Sequence, residues 1–256
     1  MAVSQTYNEL NRRWKATCRV LVRKEVGELN EFEKYLSRHA DPIFEKKSFI
    51  SNKPTYVSLP NFCKKAKFIS NDESEQYSKS LSRIKLGIND IKDIDSILGA
   101  IGGKIAYSGS LITGNSKFVE KSNSCVDSTY VYCSSDYYGA TYIAYSSTGR
   151  FDEYVFGCNW TGESKFLISS HDTYKLTRCL ETLRTFTSSD CYYTANLEDC
   201  EDCMFSFNQR NKRNLIGNLC LPKHEYSSLK KKLLLEMAET LKSKKSLPSI
   251  IKIISD

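Results

Sequence analysis

The 256-residue chain contains no run of roughly eighteen consecutive apolar residues, so a membrane-spanning helix is not expected. Met1 to Trp14 lacks an apolar core and already carries Arg12 and Arg13, so no secretory signal is read there. Without such a signal, the ten cysteines speak against a disulfide framework. They favour buried thiols, a metal site or a reactive thiol in a cytoplasmic protein. The sequon Asn159-Trp160-Thr161 is then incidental.

Histidine is nearly absent, with only His39, His171 and His224. A nucleophilic triad has little to draw on. His171 follows Ser169-Ser170 and precedes Asp172, but neighbours along a strand point to opposite faces. Neither GxxxxGK[ST] nor GxGxxG occurs, and Gly102-Gly103-Lys104 reads as a helix end. Proline is scarce, at five residues, whereas tyrosine reaches sixteen. Ser and Thr are dense between residues 106 and 206, which suits a β-rich core with short polar corners.

The net charge of +7 is unevenly placed. Residues 1–50 carry a balance of +3, residues 208–256 of +7 and the middle of −3, counted along the chain. Basic ends suit an acidic partner such as nucleic acid, or else form a solvated lysine-rich helix face.

The strongest pattern is a repeat of twelve residues. Val119, Val131, Ile143, Val155, Leu167, Cys179, Cys191, Cys203 and Leu215 follow one another at that step without insertion. One position earlier stand Phe118, Tyr130, Tyr142, Tyr154 and Phe166. Three positions after the apolar column runs a small, polar one: Ser110, Ser122, Ser134, Ser146, Cys158, Ser170, Thr182, Thr194, Ser206 and Asn218. A constant step favours parallel stacking, in which like residues pile up about 4.8 Å apart. The fold expected is mainly β: a single parallel β-solenoid, or β-helix, flanked by helical segments at both ends. Coils of twelve residues would make a rod of roughly 40 Å; coils of twenty-four would halve it.

The expected organisation is a helical segment at 1–50, first solenoid-like repeats at 51–70, an insert with a short helix at 71–104, the solenoid at 105–222, and a C-terminal helix and tail at 223–256. Thr55-Tyr56-Val57-Ser58 and Lys67-Phe68-Ile69-Ser70 share the aromatic–aliphatic–serine signature, twelve apart. In the insert, Ile91, Ile94, Leu98 and Ile101 share one helical face. Tyr7, Leu10, Trp14 and Leu21 have helical spacing, with a break expected near Gly27. Pro222 opens a helix to about Lys245 with an apolar stripe at Tyr226, Leu229, Leu233, Met237 and Leu241. Both helices are expected to cap the rod. The tail, with Ile250, Ile251, Ile253 and Ile254, should dock on the body or bind another chain.

Three constellations could carry chemistry. Asp199-Cys200-Glu201-Asp202-Cys203 contains a lone CxxC, and Cys191 and Cys220 could complete a zinc site. Cys191 and Cys203 nevertheless occupy the apolar column, where thiols serve as small core residues. Asp190 and Asp202, with Asp172 and Asp199, could form a carboxylate ladder for calcium or acid–base work, as in carbohydrate-active β-helix enzymes, or a solvated edge. The polar run Asn208 to Asn214 reads as a loop interrupting the last coil, and its mixture of cations and amides suits phosphate and base contacts.

Gly157-Cys158-Asn159-Trp160, the CxxC segment running on to Phe207-Asn208, Ile216-Gly217-Asn218-Leu219 and Arg13-Trp14-Lys15-Ala16-Thr17-Cys18 are the residues that carry a resemblance. Together they resemble a family of uncharacterised archaeal proteins with degenerate CxxC and β-helix-like repeats. That resemblance spans the chain and implies an intracellular setting.

The function expected is that of a non-enzymatic scaffold binding RNA in a ribonucleoprotein, such as the ribosome, through Arg12, Arg13, Arg19, Arg210, Lys212, Arg213, Lys230, Lys231 and Lys232. The solenoid edge or the tail could add self-association. The rival is a metal-binding or carbohydrate-active enzyme centred on residues 190–203.

Overall fold

The computed structural model describes residues 4–59, 61–62, 64–83 and 85–255. It is a mainly β chain built on a parallel β-solenoid of about nine turns, with helices before and after it. The register settles the size of the coil. Val119 pairs with Val131, Val131 with Ile143, Ile143 with Val155 and Val155 with Leu167, all in parallel strands. Each coil therefore has twelve residues, and the twenty-four-residue alternative is excluded. A second sheet lies across the coil, where Asn123 pairs with Ser135, Ser135 with Ser147 and Ser147 with Asn159.

Every third residue from Phe118 to Gly217 has a left-handed backbone, with φ between +45° and +69°. Each such residue turns the chain, and the residue after it points inward. Four inward positions per coil result. Val131, Ser134, Tyr137 and Ala140 are those of one coil, and all are buried. Left-handed backbone costs a residue other than glycine about 1 kcal/mol, so the stacked ladders must offset that cost at every turn. At Gly157 no other residue fits, because a Cβ would lie 2.8–2.9 Å from the Leu36 backbone.

The polar column is explained by the corners, where a backbone N–H would otherwise lack a partner. The Ser146 hydroxyl donates to Ala144 O at 2.9 Å and accepts from Cys158 N, one coil on, at 3.1 Å. Ser122 and Ser134 repeat this bridge, and Ser128, Ser164 and Ser188 build it in the opposite corner. Leaving a buried N–H unpaired costs about 1–3 kcal/mol. Ser146→Ala should lose that much in urea denaturation, whereas Ser243→Ala, on an exposed helix face, should lose nothing measurable. Ser110 departs from its column. The register just after it is thirteen residues, Ile112 pairing with Cys125, and its side chain instead accepts from Tyr56 N at 3.0 Å.

Helix α1 (Gln5–Val22) is capped by Ser4, whose hydroxyl accepts from Tyr7 N at 3.1 Å. It does not cap the rod. It lies lengthwise on one sheet, burying Leu10, Trp14, Cys18 and Leu21 against the outward column Ala144, Phe156, Ile168, Leu180, Tyr192 and Met204. The chain breaks after Val22, passes a 3-10 turn at Leu29–Phe32 and forms α2 (Glu33–Leu36).

Strands β1 (Phe44–Lys47) and β2 (Pro54–Val57) form an antiparallel hairpin, and β3 (Lys67–Ser70) pairs in parallel with β4 (Ala106–Gly109). The segments at Thr55 and Lys67 are therefore not consecutive coils, despite their shared signature. Between β3 and β4 lie α3 (Ser74–Leu81), a 3-10 turn at Ile88–Ile91 and α4 (Ile94–Ile101). The apolar face expected on α4 is not buried: Ile94 is 72% and Leu98 55% exposed.

Helix α5 (Lys223–Lys244) packs on α1 and on the last coil. Its buried stripe is Tyr226, Leu234, Met237, Ala238 and Leu241, with Leu229 exposed and Leu233 only partly covered, so the face is rotated from the one the spacing suggested. The tail docks on the body. Leu247 and Ile250 are buried, and α6 (Ile250–Ser255) touches the solenoid flank while Ile253 and Ile254 face out. Asn208–Asn214 is no loop. It belongs to two regular strands of the last coil, Phe207–Arg210 and Arg213–Ile216.

Candidate functional site

Stacking at a twelve-residue step places each outward charge above the one a coil earlier. Lys165 meets Glu153 at 2.9 Å, Arg184 meets Asp172 at 3.4 Å, Arg210 meets Glu198 at 3.0 Å and Arg213 meets Glu201 at 3.3 Å. Cations on the coils are thus largely neutralised along the rod. The same holds on α1. Arg12 and Arg13 both pair with Glu9, at 2.7 and 2.6 Å, and Arg19 pairs with Glu25. The Arg13 guanidinium also lies 4.5 Å from the Tyr142 ring centre, within the aromatic stack of Phe118, Tyr130, Tyr142, Tyr154 and Phe166. Because α1 runs along the rod, Arg12 and Arg13 sit several coils away from its end.

Several unpaired cations gather at one end of the rod. Where the end of α1, helix α5 and the last coils meet, a cavity of about 510 Å³ opens, lined by Arg23, Asp202, Asn214, Lys223, Tyr226, Ser227, Lys230, Lys231, Leu234 and Leu235. Lys230 is largely buried and committed. Its ammonium lies 2.6 Å from Asp202 and 3.5 Å from Asp190, over the Tyr192 and Tyr226 rings. Asp190 also accepts from Arg178. Burial works to raise its carboxyl, but the Arg178 bonds and the Lys230 charge outweigh that and hold it below the usual range. Among the described residues, Arg23, Lys223 and Lys231 make no ion pair, and all three are exposed. They surround apolar walls from Leu234 and Leu235. Tyr226 is buried, and its hydroxyl has no partner among the described residues.

Of the cations read from sequence, the structure brings Lys230 and Lys231 to this cavity, with Arg213 on the strand beside Asn214. Lys212 stands exposed in the last coil, at an inward position with no coil above it, and Lys232 turns away toward Glu236 at 4.0 Å. Arg210 lies on the other sheet. Sequence reading passed over Arg23, which ends α1 in a left-handed conformation; Lys223, which the sequence places near the polar run, is the first residue of α5.

The four cysteines considered for zinc do not form one four-ligand cluster, although the Cys203 thiol meets both Cys191 and Cys200. Cys191 and Cys203 stack with Cys179 inside one sheet, Cys200 fills the corner next to Cys203, and Cys220 is exposed on the terminal hairpin. Among the described residues no group of three or more His, Cys, Asp or Glu is placed to hold a metal ion. Thiol contacts with Cys179 and Cys203, then burial, push the Cys191 thiol well up, as a neutral core side chain requires. His171 is buried beside His39, ring centres 4.9 Å apart. Burial, then the His39 and Arg38 charges, push it down to about 3, so it is neutral at pH 7. Asp172 faces outward to Arg184. His224 is exposed, 3.7 Å from Glu225.

No helix among the described residues is long and apolar enough to cross a membrane. No protein-family model matches this chain, and no match was found among curated proteins or solved structures.

Proposed function

We propose that this chain is a non-enzymatic interaction protein. Its solenoid holds the RNA of a ribonucleoprotein, such as the ribosome, against the cationic cavity at its C-terminal end. The observation that carries this reading is the contrast between the cavity and the rest of the rod. Elsewhere on the coils most cations face a carboxylate one coil away, whereas Arg23, Lys223 and Lys231 converge on one concavity without one. Unpaired cations release counterions when they meet phosphates, which drives association and makes it salt-dependent. Arg213, Asn214 and Ser227 add fork, amide and hydroxyl donors suited to a sugar-phosphate backbone. The same surface would serve a cytoplasmic assembly without any catalytic step.

The test is binding of a fluorescein-labelled RNA oligonucleotide by anisotropy at about 0.15 M salt. Lys223→Glu together with Lys231→Glu should weaken binding at least about tenfold and flatten its salt dependence. Arg210 and Arg213 are poorer choices for reversal, because an acid there would face Glu198 or Glu201 and disturb the coil. Sedimentation of a native lysate should place the wild-type chain with ribosomal particles, and ribonuclease should release it. Unchanged affinity in the double variant would sink the assignment of this cavity.

A further inference from the structure

At the other end of the rod, the insert between β3 and β4 leaves its apolar side chains outside. Ile88, Ile91, Ile94, Leu98 and Ile105 are 81, 53, 72, 55 and 68% exposed. The first four recur every three or four residues and form a ridge along the 3-10 turn and α4. Beside the ridge runs a groove of about 430 Å³ whose walls include Tyr77, Leu81, Leu86, Ile101 and Ile105. A ridge and a groove on one patch are what a two-fold interface needs, since each copy must offer both.

Charge agrees with that arrangement. The chain bordering the groove carries Lys79, Arg83 and Lys85, with Lys104 on its wall. Among the described residues, only Lys79 of these is in an ion pair, with Glu75 at 2.6 Å. The ridge carries Asp90, Asp93 and Asp95 against a single Lys92. A ridge of net negative charge would enter a groove of net positive charge. The exposed apolar patch is on the order of 600 Å², at the upper limit of what monomers leave uncovered. Doubled, it reaches the lower bound of a specific interface, about 1,200 Å². We infer that the insert is a homodimerisation surface, with the α4 ridge of one copy seated in the α3–α4 groove of a second copy. Two rods then join by their N-terminal ends, leaving both cationic cavities outward.

Sedimentation equilibrium of the full chain across micromolar concentrations tests this. The wild type should be dimeric at tens of micromolar, and Leu98→Glu should raise the dissociation constant more than about tenfold. The expected signature of the charge pattern is reciprocal. Lys85→Glu alone and Asp95→Lys alone each weaken the dimer, and mixing the two variants restores a heterodimer. Circular dichroism should show the fold intact in each variant, because all three side chains are exposed. A wild type that stays monomeric throughout overturns the inference. So does a dimer indifferent to Leu98→Glu, or a monomer that floats with neutral phosphatidylcholine vesicles through this patch. RNA binding by the Leu98→Glu monomer is measured separately, so failure here leaves the cavity assignment untouched.

Discussion

Arg38→Met should cost about 3–5 kcal/mol of stability at neutral pH, the usual consequence of stranding a buried charge. The charge is Glu181, whose side chain is fully buried on the solenoid flank. It pairs with Arg38, accepts from the Tyr35 hydroxyl at 2.8 Å and accepts from Ile250 N at 3.1 Å. Burial raises its carboxyl, and the Arg38 charge opposes that rise. Arg38 also donates to Leu247 O at 2.7 Å, so it ties the tail to the body. Without the guanidinium, the folded chain holds the Glu181 proton to higher pH, while the unfolded chain still loses it near the ordinary value. Stability is then lost as pH rises above that value, so the deficit is largest at neutral pH and shrinks on acidification. Removing the guanidinium also eases protonation of His171, which acts in the same direction. Chemical denaturation at pH 7 and pH 4.5 measures the difference, and Arg38→Met/Glu181→Gln should recover most of it. Equal losses at the two pH values would contradict the account.

The second large effect is a gain. Asp152 occupies an inward corner position that serine holds in the coils at Ser128 and Ser164. It accepts from Ser164 N at 3.0 Å and from the Thr161 hydroxyl at 2.6 Å, but pairs with no cation among the described residues. Burial pushes its carboxyl up to about 6, against the lowering effect of those bonds. The folded chain keeps the proton to about pH 6, whereas the unfolded chain loses it near pH 4. Between those values the unfolded state binds fewer protons, so stability falls as pH rises, by roughly 3 kcal/mol in all. Asp152→Asn keeps an acceptor for Ser164 N and can donate to Thr161. It should stabilise the protein by up to about 3 kcal/mol at pH 7 and change little at pH 4. Thermal unfolding at both values tests this, and destabilisation at pH 7 would show that the charged form is required.

The solenoid was legible because interior positions recur and the interior is demanding. Val119 to Leu215 reads as one column, and Cys179, Cys191 and Cys203 take their places in it. The left-handed turn at every third residue was not legible. Chains that adopt it normally advertise glycine or asparagine, whereas here Phe118, Tyr130, Thr148 and Trp160 hold it, sustained by neighbours in the stack. Outward positions that no helix covers impose no apolar requirement, and in the last coil even the inward Gln209 and Lys212 have nothing above them. A regular strand pair therefore reads as a polar loop. At the cavity, Lys230 and Lys231 could be picked out from charge density. Arg23 could not, because its place depends on how far α1 reaches along the sheet.

That reach has a consequence for how the molecule can vary. A helix rises about 1.5 Å per residue and a coil about 4.8 Å, so one coil corresponds to roughly three residues of helix. Tyr7 meets Tyr132, Trp14 meets Phe156, and Tyr192 donates its hydroxyl to Leu21 O, in step along the same axis. Repeat arrays ordinarily lengthen or shorten by duplicating or deleting units, since each unit touches only its neighbours. Here a duplicated coil would shift every later helix contact by one rung, and only a matching insertion of about three residues in α1 would restore it. The helix acts as a ruler, and it holds the number of coils beneath it constant.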